Sequence, residues 1–209
     1  MRRDMGEELA HTLEQLADIL EALDADQWGR RTLCERWTVR DVAGHIVWRV
    51  GSSYLEMIRT ALPMLTLSRM TLDSLIETVS RQEAEATSPD QLVSRLRRMA
   101  ALRLAGIGRT GLSDLIEAVV HSYDIVQPLG ASIEVSPETT RSVALRGLLL
   151  APADRRAVVG AHTLHATDAG WAIGPGPAKS TGVIEGTARG IVLYLYGRTP
   201  VAAEAGPAE

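Results

Sequence analysis

Apolar residues recur at helical spacing in four successive segments of the first 130 residues of this 209-residue chain. The first segment, Glu7–Leu23, places leucine or isoleucine every three or four positions, which is typical of a helix with one buried face. The other segments are 39–61, 72–105, and one from Thr110 or Ser113 to Val126. The segment 72–105 is either interrupted near Ser88 or divided there into two helices. This pattern predicts an antiparallel four-helix bundle.

The pattern changes after Gly130, where shorter elements are expected. A helix is predicted over about 136–150, and small, polar and β-branched residues predict a strand over 158–167. WAIG and VIEG predict two more short strands, and TARGIVLYLYGR predicts an amphipathic helix. We therefore expect a mainly α fold in three parts: the bundle at 1–130, a small C-terminal α/β domain at 131–200, and a disordered tail at 201–209.

Composition argues against several classes of function. A net charge of -4 argues against a nucleic-acid partner, which requires a basic face. One cysteine excludes a disulfide framework and a four-cysteine zinc site. Lys179 is the only lysine, which makes Schiff-base chemistry and a P-loop implausible. No stretch approaches about 18 consecutive apolar residues, and the first residues do not resemble a signal peptide, so we expect a cytoplasmic protein without a membrane span.

Three polar side chains of the last bundle helix could hold an ion. Glu117 and His121 are four positions apart and Asp124 follows three positions later, which places them within about 60° on one helix face. A carboxylate and an imidazole at this spacing can bind one cation. The same spacing is common in pairs that lie on a solvated helix face. The pattern alone therefore leaves both interpretations open.

The second predicted helix begins with a capping signal and carries a histidine. Thr38 is predicted to cap it with Asp41 in a capping box, while Trp37 and Val42 occupy the positions of a hydrophobic staple. Capping alone accounts for Asp41. Periodicity places His45 outside the apolar face, so the histidine is expected to be exposed.

The remaining cysteine and histidines have ordinary structural explanations. Cys34 is expected to pack as a small apolar side chain. His162 and His165 differ in parity on the predicted strand and would point to opposite faces. Together with His11 they are expected to lie at the surface.

The ordered set of motifs resembles the DinB-like superfamily and, within it, the mycothiol-dependent maleylpyruvate isomerase family. The resemblance is carried by TLCERWTVRDVAGH, by EAVVHSYD, and by TDAGWAIGPG together with VIEGTARGIVLYLYGR. It covers nearly the whole chain. The fold that it implies is a DinB-like metal-binding helix bundle followed by a small C-terminal domain, in which Gly-Arg closes an amphipathic helix.

The resemblance also implies a site and its chemistry. It makes His45, Glu117 and His121 the ligands of a divalent metal, expected to be zinc, with the open fourth position of a catalytic site. Asp124 would support a ligand or fix its helix, and Arg198 could contact substrate carboxylates or have a structural role. The implied cosubstrate is mycothiol, whose metal-bound sulfur would attack a small electrophile, as an isomerase or as an S-transferase.

Two other functions are compatible with the sequence. One is a thiol-independent metalloenzyme that acts on a small carbonyl or amide substrate. The other is a non-catalytic protein that binds an apolar ligand, with the histidines incidental. The expected partners are a small-molecule substrate and a thiol, with a homodimer as a candidate assembly. The large excess of arginine over lysine is typical of a GC-rich genome and fits an actinobacterial source.

Overall fold

The computed structural model of the chain describes residues 4–67, 71–176 and 179–198. These residues form two compact units, of which the first ends at Glu134 and the second begins at Val135. The first unit is helical, and the second combines helices with a small sheet. The predicted mainly α fold is thereby confirmed. The predicted disordered tail lies outside the described residues.

A bundle of helices forms the first unit. Its elements are α1 (Met5–Glu21), α2 (Ala25–Trp28), α3 (Val39–Gly51), α4 (Tyr54–Leu67), α5 (Leu72–Ala86), α6 (Pro89–Leu104) and α7 (Leu112–Leu129). The first helix packs against α6 and α7, and α3 packs against α5 and α7. The predicted apolar stripe of α1 is fully buried at Leu9, Leu13 and Leu16.

The segment 39–61, predicted as one helix, is two helices in the structure. The first of them ends at Gly51, and Ser52 has an extended backbone. Ser53 and Glu56 then start α4 as a capping pair, because the Ser53 amide donates to Glu56 Oε2 at 2.6 Å and the Glu56 amide donates to Ser53 Oγ at 3.2 Å. The prediction was wrong because apolar periodicity continues across this capping signal.

The segment 72–105 is also two helices, which was one of the two predicted alternatives. Ser88 caps α6 in a capping box with Gln91, and Pro89 occupies the first turn, where its missing N–H costs no hydrogen bond. The last bundle helix, α7, continues beyond its predicted end at Val126. It includes Pro128 in its last turn and is capped by Gly130, which has a positive φ of 68°.

The second unit pairs helices with a three-stranded sheet. Its elements are α8 (Pro137–Leu150), α9 (Ala153–Ala161), β1 (Thr163–Ala166), β2 (Trp171–Ile173), β3 (Val183–Gly186) and α10 (Ala188–Leu195). The central strand, β1, pairs antiparallel with β2 and parallel with β3. Trp171 donates its indole N–H to Thr140 Oγ1 at 3.0 Å and so ties the sheet to α8.

The predicted strand over 158–167 is correct only in its second half. Its first residues belong to α9, which follows Pro152 and has Asp154 in its first turn, both common at a helix N-terminus. The other two predicted strands and the predicted last helix are present. None of the helices in the described ranges has the length and apolar character that a membrane crossing requires.

Candidate metal centre

Two histidine side chains approach the same carboxylate oxygen of a glutamate. His45 of α3 places Nε2 at 3.3 Å from Glu117 Oε2, and His121 of α7 places its own Nε2 at 3.4 Å from the same oxygen. The three donor atoms lie within 4.8 Å of one another. Ligands of a tetrahedral zinc at bond lengths of about 2.0–2.1 Å are separated by roughly 3.3 Å. The two distances to Glu117 Oε2 fit that geometry.

His45 is buried, although periodicity predicted an exposed side chain. Only 4% of its surface is exposed, because α5 covers this side of α3. The rings of Trp37 and Trp48 lie 5.0 and 6.2 Å from the imidazole. Burial is the main cause that lowers the pKa of His45 to about 4, and the contact with the Glu117 carboxylate offsets it only in part. The imidazole is therefore neutral at pH 7.

His121 has the opposite electrostatic environment. Its Nδ1–H donates to the fully buried Asp124 carboxylate, with 2.9 Å between Nδ1 and Oδ2. Burial alone would lower the pKa of His121, but the hydrogen bonds with Asp124, Cys34 and Glu117 outweigh it and raise the pKa well above its usual value. The predicted position of Asp124 beside a candidate ligand agrees with this geometry.

Glu117 is ionised and held from its other side. Burial opposes ionisation, but the contacts of the carboxylate with His121 and His45 outweigh burial and lower the pKa of the carboxyl below its usual range. Arg49 Nε lies 3.3 Å from Oε1 of this carboxylate. One oxygen of Glu117 thus faces the arginine, and the other faces the two histidines.

The loop between α2 and α3 adds two side chains to the site. The Trp37 ring lies nearly parallel to the His121 ring, with centroids 6.3 Å apart. The Cys34 thiol donates to Asp124 Oδ2 at 3.0 Å and lies 3.7 Å from His121 Nδ1. Arg36, which lies between Cys34 and Trp37 in the chain, has a positive φ of 70°, an uncommon conformation for a residue other than glycine. Cys34 therefore does more than pack, contrary to the expectation from the sequence.

Pro128 explains why this loop binds α7 at Asp124. Proline has no backbone N–H, so Pro128 cannot donate a hydrogen bond to the carbonyl of Asp124, four residues earlier. The Leu33 amide donates to that carbonyl at 3.1 Å. The bond places Cys34, the next residue, beside the Asp124 side chain.

Two supporting residues of the site were missed by sequence reasoning. Ser80 of α5 places Oγ 3.0 Å from His45 Nδ1, and Arg49 contacts Glu117 as described above. The sequence signal for Ser80 is that a polar residue stands next to Val79 on a helix face that is otherwise apolar. Both side chains are buried in the structure. Nothing in the spacing of Arg49 distinguishes it from a surface arginine.

Other residues singled out in the sequence lie elsewhere or have structural partners. The predicted capping box is present, since the Thr38 amide donates to Asp41 Oδ2 at 2.8 Å and the Asp41 amide to Thr38 Oγ1 at 3.2 Å. Arg198 belongs to the second unit, where its Nη1 donates to the Tyr196 carbonyl at 2.7 Å. That bond supports a structural role, and the role of Arg198 as a substrate contact stays a prediction.

The three remaining histidines do not contribute to the metal-ligand groups found among the described residues. His11 lies on α1 and is partly exposed. His162 was predicted to lie on a strand. In the structure it caps the C-terminus of α9 instead. His165 lies on β1, where its Nδ1 is 3.1 Å from Glu185 Oε1.

Comparison with known proteins agrees with the resemblance seen in the sequence. The sequence model described as "Mycothiol maleylpyruvate isomerase N-terminal domain" matches residues 9–126. The chain is similar to the crystal structure of the mycothiol-dependent maleylpyruvate isomerase, with a TM-score of 0.57 and 16% identity. It is also similar to the structure of a histidine-to-alanine mutant, with a TM-score of 0.55 and 17% identity. Each comparison covers 93% of this chain and 88% of the other.

These two likenesses show a shared fold. A search of curated proteins found no match. The region that matches the family spans more than half of the chain and contains His45, Glu117 and His121. The chain therefore belongs to the family of the mycothiol maleylpyruvate isomerase N-terminal domain.

Proposed function

We propose that the chain is a metal-dependent enzyme in which a low-molecular-weight thiol, mycothiol, attacks a small electrophilic substrate, as in a maleylpyruvate isomerase. Membership of the family and the names of the two similar structures support the thiol and the substrate class. The observation that carries the proposal is the convergence of two imidazole nitrogens and one carboxylate oxygen at distances that suit a tetrahedral ion.

The electrostatics of the cluster support a cation at this point. The Glu117 carboxylate is ionised, and the neutral His45 imidazole has one nitrogen without a proton. Two imidazoles and one carboxylate form a donor set that suits zinc and leaves a fourth position for a further ligand. The buried Asp124 carboxylate adds a second negative charge behind His121. The site therefore suits a divalent cation.

A divalent ion held by these three residues would supply an open position at which a thiol binds and loses its proton near neutral pH. The protein's own groups would keep the donor atoms in place. Asp124 fixes the orientation of the His121 ring by accepting its Nδ1–H. Arg49 holds Oε1 of Glu117 and leaves Oε2 directed at the histidines. Trp37 lies against both imidazole rings.

The proposed chemistry begins with one bond-forming step. The thiolate sulfur forms a bond to an activated carbon of the substrate double bond, and the electron pair of that double bond moves to the neighbouring carbon. In an isomerase, the resulting single bond rotates and the carbon–sulfur bond then breaks, which returns the thiolate and the trans isomer. In an S-transferase, the neighbouring carbon takes up a proton and the adduct is released. The proposal includes both outcomes.

The test is elemental analysis of the full chain purified without added metal, with thiol-dependent turnover of maleylpyruvate measured on the same samples. We expect about one zinc ion per wild-type chain and its loss from His45→Ala and His121→Ala. His165→Ala is the matched control, because this histidine lies on the sheet of the second unit and should leave the zinc content unchanged.

Three results would contradict parts of this proposal. Stoichiometric metal that persists in both alanine variants would reject the ligand assignment. Turnover that does not depend on added thiol would favour the thiol-independent metalloenzyme. Wild-type protein that holds no metal and shows no turnover would favour a non-catalytic binding protein.

A further inference from the structure

We infer that Ser80 is a positioning residue that holds the proton of the His45 imidazole on Nδ1, so that Nε2 presents its lone pair to the metal. The inference rests on the proposed metal site and assigns Ser80 to its machinery. It is derived from where each hydrogen atom must lie in the contacts among Ser80, Ile76 and His45.

The hydroxyl proton of Ser80 is engaged within its own helix. Ser80 Oγ lies 2.6 Å from the backbone carbonyl oxygen of Ile76, four residues earlier in α5. A carbonyl oxygen can only accept, and two oxygen atoms at this distance repel unless a hydrogen lies between them. Serine in a helix commonly donates to the carbonyl four residues earlier. The single hydroxyl proton of Ser80 is therefore directed at Ile76.

The contact with Ser80 determines which nitrogen of the His45 imidazole carries the proton. Ser80 Oγ is 3.0 Å from His45 Nδ1, and its only proton is engaged elsewhere. The hydroxyl can therefore only accept at this contact, and Nδ1 must carry the hydrogen. A neutral imidazole with its proton on Nδ1 has a lone pair on Nε2, the atom that faces Glu117.

Ser80 reaches His45 because α3 and α5 lie close together at Gly44. Gly44 precedes this histidine, and a Cβ atom at position 44 would lie 3.0 Å from the Ser80 carbonyl oxygen and 2.9 Å from the Ala84 amide nitrogen. The absence of a side chain therefore lets α3 and α5 approach closely at this position. Ser80 is fully buried and His45 nearly so, which leaves little opportunity for water to replace the hydroxyl.

Ser80 is uncharged, whereas the residues that hold the other two candidate metal ligands are charged. Arg49 supports Glu117 and Asp124 supports His121, each with an ionised group. A hydroxyl fixes the direction of the His45 ring without adding charge to the nearly dry contact between α3 and α5. Removal of this hydroxyl should therefore change which ring nitrogen is protonated and leave the charge of the site unaltered.

The direct test is nitrogen-15 NMR of the histidine side chains in the full chain after metal removal, at neutral pH. In the wild type we expect the proton of His45 on Nδ1. In Ser80→Ala we expect a population with the proton on Nε2, where Glu117 Oε2 can accept it. The second measurement is zinc affinity by competition with a chromophoric chelator, which should weaken about 10- to 100-fold in Ser80→Ala.

Two variants separate positioning from general packing. Ser122→Ala removes a buried hydroxyl of the same size from α7, where Ser122 Oγ has no hydrogen-bond partner within the described ranges, and should leave zinc affinity unchanged. Ser80→Thr retains the hydroxyl and should recover most of the affinity. A wild-type His45 protonated on Nε2, or equal zinc affinity in wild type and Ser80→Ala, would overturn the inference. A wild type that binds no zinc would overturn the proposed function, and the tautomer of His45 in the same sample would still decide this inference.

Discussion

The two histidines of the candidate metal centre lie only 4.7 Å apart between ring centroids, yet their surroundings differ in charge. His45 is packed between α3 and α5, against a serine hydroxyl and two tryptophan rings, and its pKa is lowered to about 4. His121 lies against a buried carboxylate and a thiol, and its pKa is raised. Two identical side chains thus favour opposite protonation states within one site.

This difference shows how the metal-free site can be stable. A proton on His121 Nε2 can satisfy Glu117 Oε2 at 3.4 Å, while His45 stays neutral. His121 Nε2 must lose that proton before it can bind a divalent ion. Metal binding should therefore release a proton and weaken as the pH falls.

The largest expected effect comes from Asp124→Asn. The amide cannot supply the negative charge behind His121, so zinc affinity should fall about 10- to 100-fold. The pKa of His121 in the metal-free protein should also fall towards its usual value, because a main cause of its elevation is removed. Chelator competition and an NMR pH titration measure the two effects. His45 is the internal control, and an unchanged pKa of His121 would contradict the assigned role of Asp124.

The second prediction concerns the stability of the metal-free protein between pH 5 and 6.5. The folded pKa of His45, about 4, lies below its value of 6.5 in the unfolded chain. As the pH falls below 6.5, the unfolded chain takes up a proton that the folded chain does not, so the free energy of unfolding decreases. His121 has the opposite sign, because its stabilising contribution is fully present below pH 6.5 and is lost as the pH rises through its folded pKa.

From pH 6.5 to pH 5, the free energy of unfolding of the metal-free protein should decrease by roughly 1–2 kcal/mol. Urea unfolding of the metal-free chain at the two pH values measures it. His45→Gln cannot titrate at this position and should lack most of the loss. Equal pH dependence in the variant and the wild type would show that His45 is not the group responsible.

The smallest effect is expected for Cys34→Ala. The variant removes one of the groups that hydrogen-bond to Asp124 but leaves the contact between Asp124 and His121 intact. Zinc affinity should change by less than about 5-fold, since a thiol is a weak hydrogen-bond donor and Asp124 keeps its contact with His121. Cys34→Ser keeps a donor and should resemble the wild type. A loss as large as that in Asp124→Asn would show that the thiol has a direct part in metal binding.

Much of the fold could be predicted because its signals are local. The stripe of α1, the capping box at Thr38 and the glycine at position 130 act within a few residues of their own positions. The break at Ser52 also has a local signal, the capping pair of Ser53 and Glu56, which the apolar pattern concealed. Errors of this kind can be corrected from the sequence alone.

The candidate site required information that is not local. Periodicity describes one helix at a time, so it could not show that α5 covers His45. The spacing of Glu117 and His121 predicted that they share one face of α7, but not which side chains support them. Ser80 and Cys34 reach the site through contacts between residues distant in the chain. The ligand assignment came from the resemblance to a family, and it stays a prediction until metal content is measured.

The hydrogen bond between the Leu33 amide and the Asp124 carbonyl has a kinetic consequence. It joins residues 91 positions apart, and its acceptor is the carbonyl to which Pro128 cannot donate. Such a contact is expected to form late in folding and to open early. Because the same loop carries Cys34 and Trp37, its opening would detach both side chains from the site while the helices stay packed. The exchange rate of the Leu33 amide with solvent deuterium therefore reports how often the site is fully assembled.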